Sequence, residues 1–502
     1  MKAFYTIISL LLLLGYSHAQ SGTDDKRGNI WLMGYDDDVM DSLFGVTKID
    51  FNVMPPLVSR DSKPVDFDEA TSVICDSSGN LLIYTNNLAI YNDLNDTIEN
   101  GDINPNNLAN DRLVQGNLLL PLPGFDNIYY LFHEEYTWVG GSDQIRIYTL
   151  YYSVIDMEAN NGAGLVSPVN IPLIQDTLQY GAITATRHGN GRDWWIIVPK
   201  ANSNLYYKVL LSPDGAEVYH TQSIGSAVLS SLGQSVISPN GTAYIRSSSD
   251  SFNEPIYLDV YDFNRCSGEL SNHRHFEYLP AAGSGVAISP NSRYLYFSVA
   301  FSIIQYDLWA DDIEASGIVV AEYDGYESPF QTTFWLQQLA PDNKIYINCT
   351  NPTTVIHIIH SPDSAGLACN IEQHGLQLPT LNAFTIPNSP WFRLYAWDES
   401  PCDTLNIDST GTVGVHTPLV ISDVLVYPNP AGDYFNVLFT DQVNNAGIVL
   451  YDVAGREALK QALQAKVSTI DVRNLPGGLY LYNIRDKEDG VIKTGKIVIN
   501  CE

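Results

Sequence analysis

Residues 285–297 read GVAISPNSRYLYF, and IIQYDL follows at 303–308. An apolar run, Val286 to Ile288, meets a turn written Ser289-Pro290-Asn291-Ser292, where proline fixes φ and asparagine tolerates a positive one. The aromatic strand Tyr294 to Phe297 comes next, and a third strand ends in Tyr306-Asp307. The same order recurs at 233–245 (GQSVISPNGTAYI, then IYLDVYDF) and at 336–349 (LQQLAPDNKIYINC, then TVIHIIHSP). Looser copies begin at Asn29 (NIWLMGY, FGVTKIDF), Ser72 (SVICDSSGNLLIYTNNLAIYND), Asn117 (NLLLPLPGFDNIYYLFHEE, IRIYTLYYSVID) and Ala182 (AITATRHGNGRDWWIIV, LYYKVLLS). A unit of roughly 50 residues repeated about seven times, all strand and turn, predicts a β-propeller, because radial closure packs each sheet between two neighbours. A β-helix or a string of sandwiches competes, but sandwich repeats run near 100 residues each, roughly twice this period. Only 308–315 leaves room for a helical turn or two.

A different pattern ends the chain. Residues 424–439 read VLVYPNPAGDYFNVLF, and hairpins with Asp452-Val-Ala-Gly455-Arg456 and Gly477-Gly478-Leu479-Tyr480 follow before a last strand carrying Lys493 and Lys496. Alternating apolar and polar residues broken by Gly, Pro and Asn predict a small antiparallel sandwich. Pro428, Asn429, Pro430 and Gly432, with Asp452, Gly455 and Arg456 and then Gly477, Gly478 and Tyr480, resemble the C-terminal sorting domain of cargo of the Bacteroidetes type IX secretion system. The resemblance implies an immunoglobulin-like sandwich, the secretion machinery as a partner, and a destination at the cell surface or outside. The repeats also resemble a WD-repeat-like propeller module of Bacteroidetes exported proteins, across about residues 28–400, which brings no catalytic residue set with it.

The other end agrees with export. Lys2 precedes an apolar run from Phe4 to Gly15, and Ser17-His18-Ala19 is a small-x-small site, so cleavage is expected between Ala19 and Gln20. The run is about a dozen residues where a membrane span needs about twenty. The expected domains are a signal peptide at 1–19, a propeller at 20–397, a linker at 398–423 rich in Ser, Thr, Asp and Pro, and the sandwich at 424–502.

Of 502 residues 45% are hydrophobic and 17% charged, a folded composition, and the formal charge of −31 argues against nucleic acid or an anionic membrane as partner. Six cysteines are too few for a disulfide scaffold. Bridges are expected among Cys266, Cys349, Cys369 and Cys402, with the pairing open. No CxxC, HExxH or GxSxG occurs, and no resident cofactor is expected.

The turns Ser212-Pro-Asp-Gly215, Ser238-Pro-Asn-Gly241 and Ser289-Pro-Asn-Ser292 lack the Thr-Trp ending of a sialidase Asp-box. His188, beside Asn190-Gly191, suits a hydrogen bond to Asp193 or backbone. His273 and His275 share one strand face, but two ligands fall short of a metal site. Asp36, Asp37 and Asp38 and the stretch 93–102 (DLNDTIENGD) carry oxygens of the kind calcium takes, without calcium-loop spacing. Connecting loops are the simpler reading of both. With 31 Tyr and 8 Trp, stacking on sugar rings is open to rim residues such as Tyr136, Trp138, Trp309 and Tyr326, although Tyr is also ordinary strand filling. The chain reads as an exported, non-catalytic binding protein whose extracellular ligand is a glycan or a protein. A propeller-type polysaccharide hydrolase or lyase, and a structural or gliding-associated envelope component, are the alternatives.

Overall fold

The computed structural model describes residues 25–36, 42–104, 112–139, 144–228, 232–249, 255–278, 284–398, 400–405, 424–439, 446–463, 467–485 and 491–500. The signal stretch with Ala19 and Gln20, Asp37, Asp38, and linker residues 406–423 lie outside them. Among the described residues no helix is long and apolar enough to cross a membrane.

The fold is all-β and propeller-like. Each sequence copy supplies consecutive antiparallel strands of one sheet. The one that opened the reading forms Val286–Ile288, Tyr294–Ser298, Ser302–Asp307 and Ile318–Glu322 in that order. Burial falls along it: the first two strands are wholly buried, the third alternates, and the fourth is mostly exposed. Inner strands lie between neighbouring sheets on both faces, so Val286–Ile288 and Tyr294–Ser298 are written as nearly continuous apolar runs, while the outermost strand faces water. Ser289 shows why the turn recurs: its hydroxyl donates to Asn291 Oδ1 at 2.7 Å and accepts the Tyr294 N–H at 2.9 Å. Ser238 repeats this with Asn240 and Ala243 at 2.7 and 2.9 Å, and Gly241 takes a φ of +72°.

Two sheets depart from the plain repeat. The strands from Ser72–Cys75 to Thr97–Asp102 and those from Asn117–Pro121 onward join into one nine-stranded sheet, because the short strand Leu165–Val166 bridges their outer edges, parallel to the first. The sheet opened by Ile30–Gly34 has three strands, and Ile30–Gly34 runs opposite to Ser72–Cys75, with Cys75 N–H on Arg27 O and Phe67 N–H on Gly34 O. Its innermost place is filled from the far end of the propeller sequence. Thr385 Oγ1 reaches Phe67 O at 2.9 Å, Asn388 N–H reaches Thr71 O at 3.0 Å, and Arg393 reaches Asn29 Oδ1 at 3.4 Å. Residues 385–393 thus run alongside the first strand and close the ring with the chain's own ends. Beyond them Trp397 N–H donates to Gly189 O, and Cys402 is bonded to Cys266 across 136 residues. The chain therefore stays attached past 397, the expected end of the propeller. Cys349 and Cys369 are not bridged. Both are free and buried, the Cys349 thiol 3.4 Å from His357 Nε2.

The C-terminal unit is two antiparallel sheets, of three and four strands, over one apolar core. Phe435 and Val437 from one sheet meet Ile448, Leu450, Ile484 and Ile497 from the other.

Candidate ligand-binding face

The axis on which the first strands converge is sealed by amides. Gln234 Nε2 donates to Gln337 O at 2.6 Å, and its Oε1 accepts the Val286 and Gln337 N–H groups at 2.9 and 3.0 Å. Gln115 clasps Ser235 through N–H and C=O at 2.8 and 3.0 Å, and Asn388 Nδ2 ties Asn117 O to Ile183 O at 2.8 and 3.0 Å. The side chains lie where strand edges leave peptide groups unpaired, and each supplies both a donor and an acceptor. The cavity left inside is about 50 Å³, between Thr184, Ile237, Ile288, Asn388 and Trp391. That holds a few waters and no sugar ring, since small-molecule sites run to roughly 300 Å³ or more.

Two clusters sit instead at the ends where first strands begin. Asp66, Asp68 and Glu69 precede Ser72–Cys75, Arg112 precedes Asn117–Pro121, and Tyr35 with Asp36 faces them. Burial pushes the Asp66 carboxyl up to about 6, and the charges of Asp68 and Asp36 add to this against the pull of the Asp68 N–H and Arg112. Asp68 is also raised, by burial, despite Arg112 Nε at 3.4 Å. The Tyr35 hydroxyl is raised by burial and then by Asp68, Asp66 and Glu69. Of the expected calcium ligands, then, Asp36 joins a carboxylate and tyrosine cluster that the sequence did not assemble, while Asp37 and Asp38 lie outside the described residues. The other acidic stretch is no loop: it holds the strand Thr97–Asp102, with Ile98 buried.

The second cluster is aromatic. Phe301, Tyr326 and Phe330 are 57%, 43% and 54% exposed, just before strand Phe334–Leu339. Phe301 lies 6.0 Å from Tyr323, whose hydroxyl donates to Tyr326 O, and Tyr326 rests on His374 at 4.2 Å, centroid to centroid. His374 Nε2 pairs with Asp324 at 2.9 Å, and Gln373 Nε2 donates to Glu322 O, so polar groups edge the platform. Of the aromatics expected on a rim, Tyr326 belongs here. Tyr136 is buried against Tyr180, because its strand packs inside the molecule. Trp309 is exposed but follows the end of Ser302–Asp307, stacked by Arg293. The Trp138 side chain lies outside the described ones.

The histidines divide by burial. His188 binds Cys266 O at 3.1 Å and accepts the Asn190 N–H at 3.0 Å, a turn clamp. Burial pushes His133 and His357 down to about 3, which favours the neutral imidazole in both.

The sequence motifs of the C-terminal sandwich are its joints. Asn429, between Pro428 and Pro430, donates to Lys496 O at 3.1 Å and accepts the Val498 N–H at 2.9 Å, which holds the last strand. Asp452 Oδ1 accepts the Ala454 and Arg456 N–H groups at 2.9 and 3.0 Å, and Gly455 takes φ +77° between them. Gly478 has φ +152°, and the Tyr480 hydroxyl donates to Pro476 O at 2.8 Å. Lys493 Nζ donates to Val424 O at 2.9 Å and pairs with Asp214 at 2.6 Å, while Lys496 lies 3.4 Å from Glu217. Two basic residues of the last strand thus face two acids of the propeller hairpin around Gly215. Gly432 and Gly477 flank the turns that these contacts fix.

Residues 425–500 match the family model described as the secretion system C-terminal sorting domain. The C-terminal unit is a sorting domain. A sorting domain of this kind implies handling by the type IX machinery and export to the cell surface or the extracellular space. No curated protein matches the chain. Among solved structures it is similar to PorZ, described as an essential bacterial surface component of the type IX secretion system of Porphyromonas gingivalis, at 13% identity and a TM-score of 0.31, covering 91% of this chain and 63% of that one. A putative 6-phosphogluconolactonase of Bacteroides uniformis aligns at 14% identity and a TM-score of 0.42, over 70% of this chain and 97% of that one. The periplasmic gluconolactonase of Pseudomonas aeruginosa aligns at 13% and 0.34, over 74% and 97%.

Proposed function

We propose that the chain is an exported binding protein without catalysis of its own: a seven-bladed propeller that presents an extracellular ligand site on the face where its first strands begin. An immunoglobulin-like sorting domain carries it out after signal cleavage between Ala19 and Gln20. The sealed axis carries this reading. A cavity of about 50 Å³ lined by Gln115, Gln337 and Asn388 is too small for a sugar ring, whereas Phe301, Tyr326 and Phe330 are exposed at the surface, where Asp324 and His374 supply polar groups. Aromatic faces with hydrogen-bonding edges suit glycan rings.

The second reading is a hydrolase or lyase working at the Asp66 cluster. A carboxyl held near 6 beside other carboxylates is how acid and base roles are separated. One assay separates the two. The chain from Gln20, with a panel of polysaccharides and proteins from the producer's surroundings, should retain a glycan without releasing product, and Tyr326→Ala with Phe330→Ala should abolish retention. Product formation that Asp66→Asn abolishes would establish the second reading instead. Export has its own test in the producing bacterium. Removing 424–502 should strand the propeller in the periplasm, and undiminished surface display of the truncated chain would contradict it.

A further inference from the structure

Strands Ile256–Phe263 and Leu270–Tyr278 pair with Asp259 directly opposite His275. Residues two apart on a strand share a face, so His273 points to the same side as His275. Asp259 Oδ1 lies 2.7 Å from His273 Nε2 and 2.8 Å from His275 Nδ1, and the three atoms fall within 4.8 Å of one another. Among the described residues no other three such side chains come together in this way. Both Asp259 and Arg246 are buried, with Arg246 Nη2 on Oδ2 at 3.1 Å, while His273 and His275 keep 15% and 23% exposure. The cluster is therefore fixed from within and open from without.

Each flanking contact suits a ligand sphere. Tyr261 stacks on His273 at 4.6 Å and Tyr257 on His275 at 5.4 Å, which sets the ring planes. His275 Nε2 lies 3.5 Å from Glu277 Oε1, the outer carboxylate that a metal-bound imidazole commonly uses to hold its second ring proton. Arg246 occupies Oδ2, leaving Oδ1 as the single carboxylate ligand. It already balances the Asp259 charge, so two imidazoles converging on the same oxygen exceed what pairing that charge requires.

We propose that Asp259 Oδ1, His273 Nε2 and His275 Nδ1 bind one zinc-type divalent ion, with its fourth position open to solvent. Two imidazoles and one carboxylate are a set that zinc accepts. Binding displaces the ring protons shared with Oδ1. A neutral imidazole moves its proton to the other ring nitrogen, which for His275 is the one facing Glu277, and a protonated one releases a proton to solvent. Across a tetrahedral ion with bonds of about 2.0–2.1 Å the ligand atoms stand about 3.3 Å apart. The N···O separations must therefore open by about half an ångström, a movement the part-exposed rings can make. A formal charge of −31 on the whole chain favours capture of a cation.

The test uses the chain from Gln20 without a polyhistidine tag, stripped with chelator and titrated with Zn²⁺ at pH 7.5 against a chromogenic competitor. One tight equivalent and a rise in unfolding temperature are expected. Glu277→Gln should weaken binding about tenfold, and His273→Gln with His275→Gln should remove it. No uptake by the parent chain, or uptake that survives the double substitution, would overturn the site. Should the double variant not fold, zinc-soaked crystals of the parent decide. An anomalous peak among the three atoms supports the proposal, and its absence there rejects it.

Discussion

Replacing Gln234 with leucine should lower the stability of the propeller by about 4 kcal/mol. The amide joins three first strands: it accepts the Val286 and Gln337 N–H groups and donates to Gln337 O, all buried. Leucine fills the same volume and answers none of them. Each buried peptide group left without a partner costs about 1–3 kcal/mol, so a sum of several is expected, with no cavity term to add. Gln373 is the control. It is part-exposed and donates to Glu322 O at the surface, so Gln373→Leu should change stability by about 1 kcal/mol or less. Denaturant midpoints of the two variants make the comparison. If Gln234→Leu unfolds with Gln373→Leu, the amides do not hold the axis.

Loss of the Cys266–Cys402 bond is the second large effect expected. It closes a loop of 136 residues, and the chain-entropy account assigns such a loop about 5 kcal/mol. The bond anchors the segment that closes the ring, beside Arg265, which donates to Arg187 O at 3.0 Å and also binds Tyr395 O. Gly189 lies against the bond, where any side chain would collide with both sulfurs. The Cys266→Ser, Cys402→Ser double variant should therefore unfold several degrees earlier, and thiol reductant should move the parent chain to the same point. Reductant that shifts the double variant equally would show that the bond is not the cause.

Much of the sheet architecture was legible because burial leaves a local mark. Inner strands such as Trp194–Pro199 are apolar throughout, outer strands such as Ile318–Glu322 are not, and Ser-Pro-Asn turns join first strands to second ones. Ring closure left no mark of that kind. Residues 385–393 bond to residues more than 300 positions earlier, through Thr385 on Phe67 and Asn388 on Thr71, and no local pattern encodes a partner so distant. The axial glutamines were hidden for a related reason, since Gln234 and Gln337 look like ordinary strand polar residues until their neighbours are known. His273 and His275 were visible as a pair, while Asp259 became their third only through the register of two strands. Tyr136 and Tyr326 could not be told apart by type. Packing buries one against Tyr180 and leaves the other on the surface.

The most direct measurement is hydrogen exchange over 384–397, read against the buried inner strands. A ring closed by this segment predicts that the Asn388 N–H, held by Thr71 O, and the Trp397 N–H, held by Gly189 O, exchange as slowly as the amides of Ile196 and Leu295. Fast exchange at Asn388 and Trp397 with the strands still protected would mean that the ring opens there, and the account of a sealed axis with recognition on its outer face would fail.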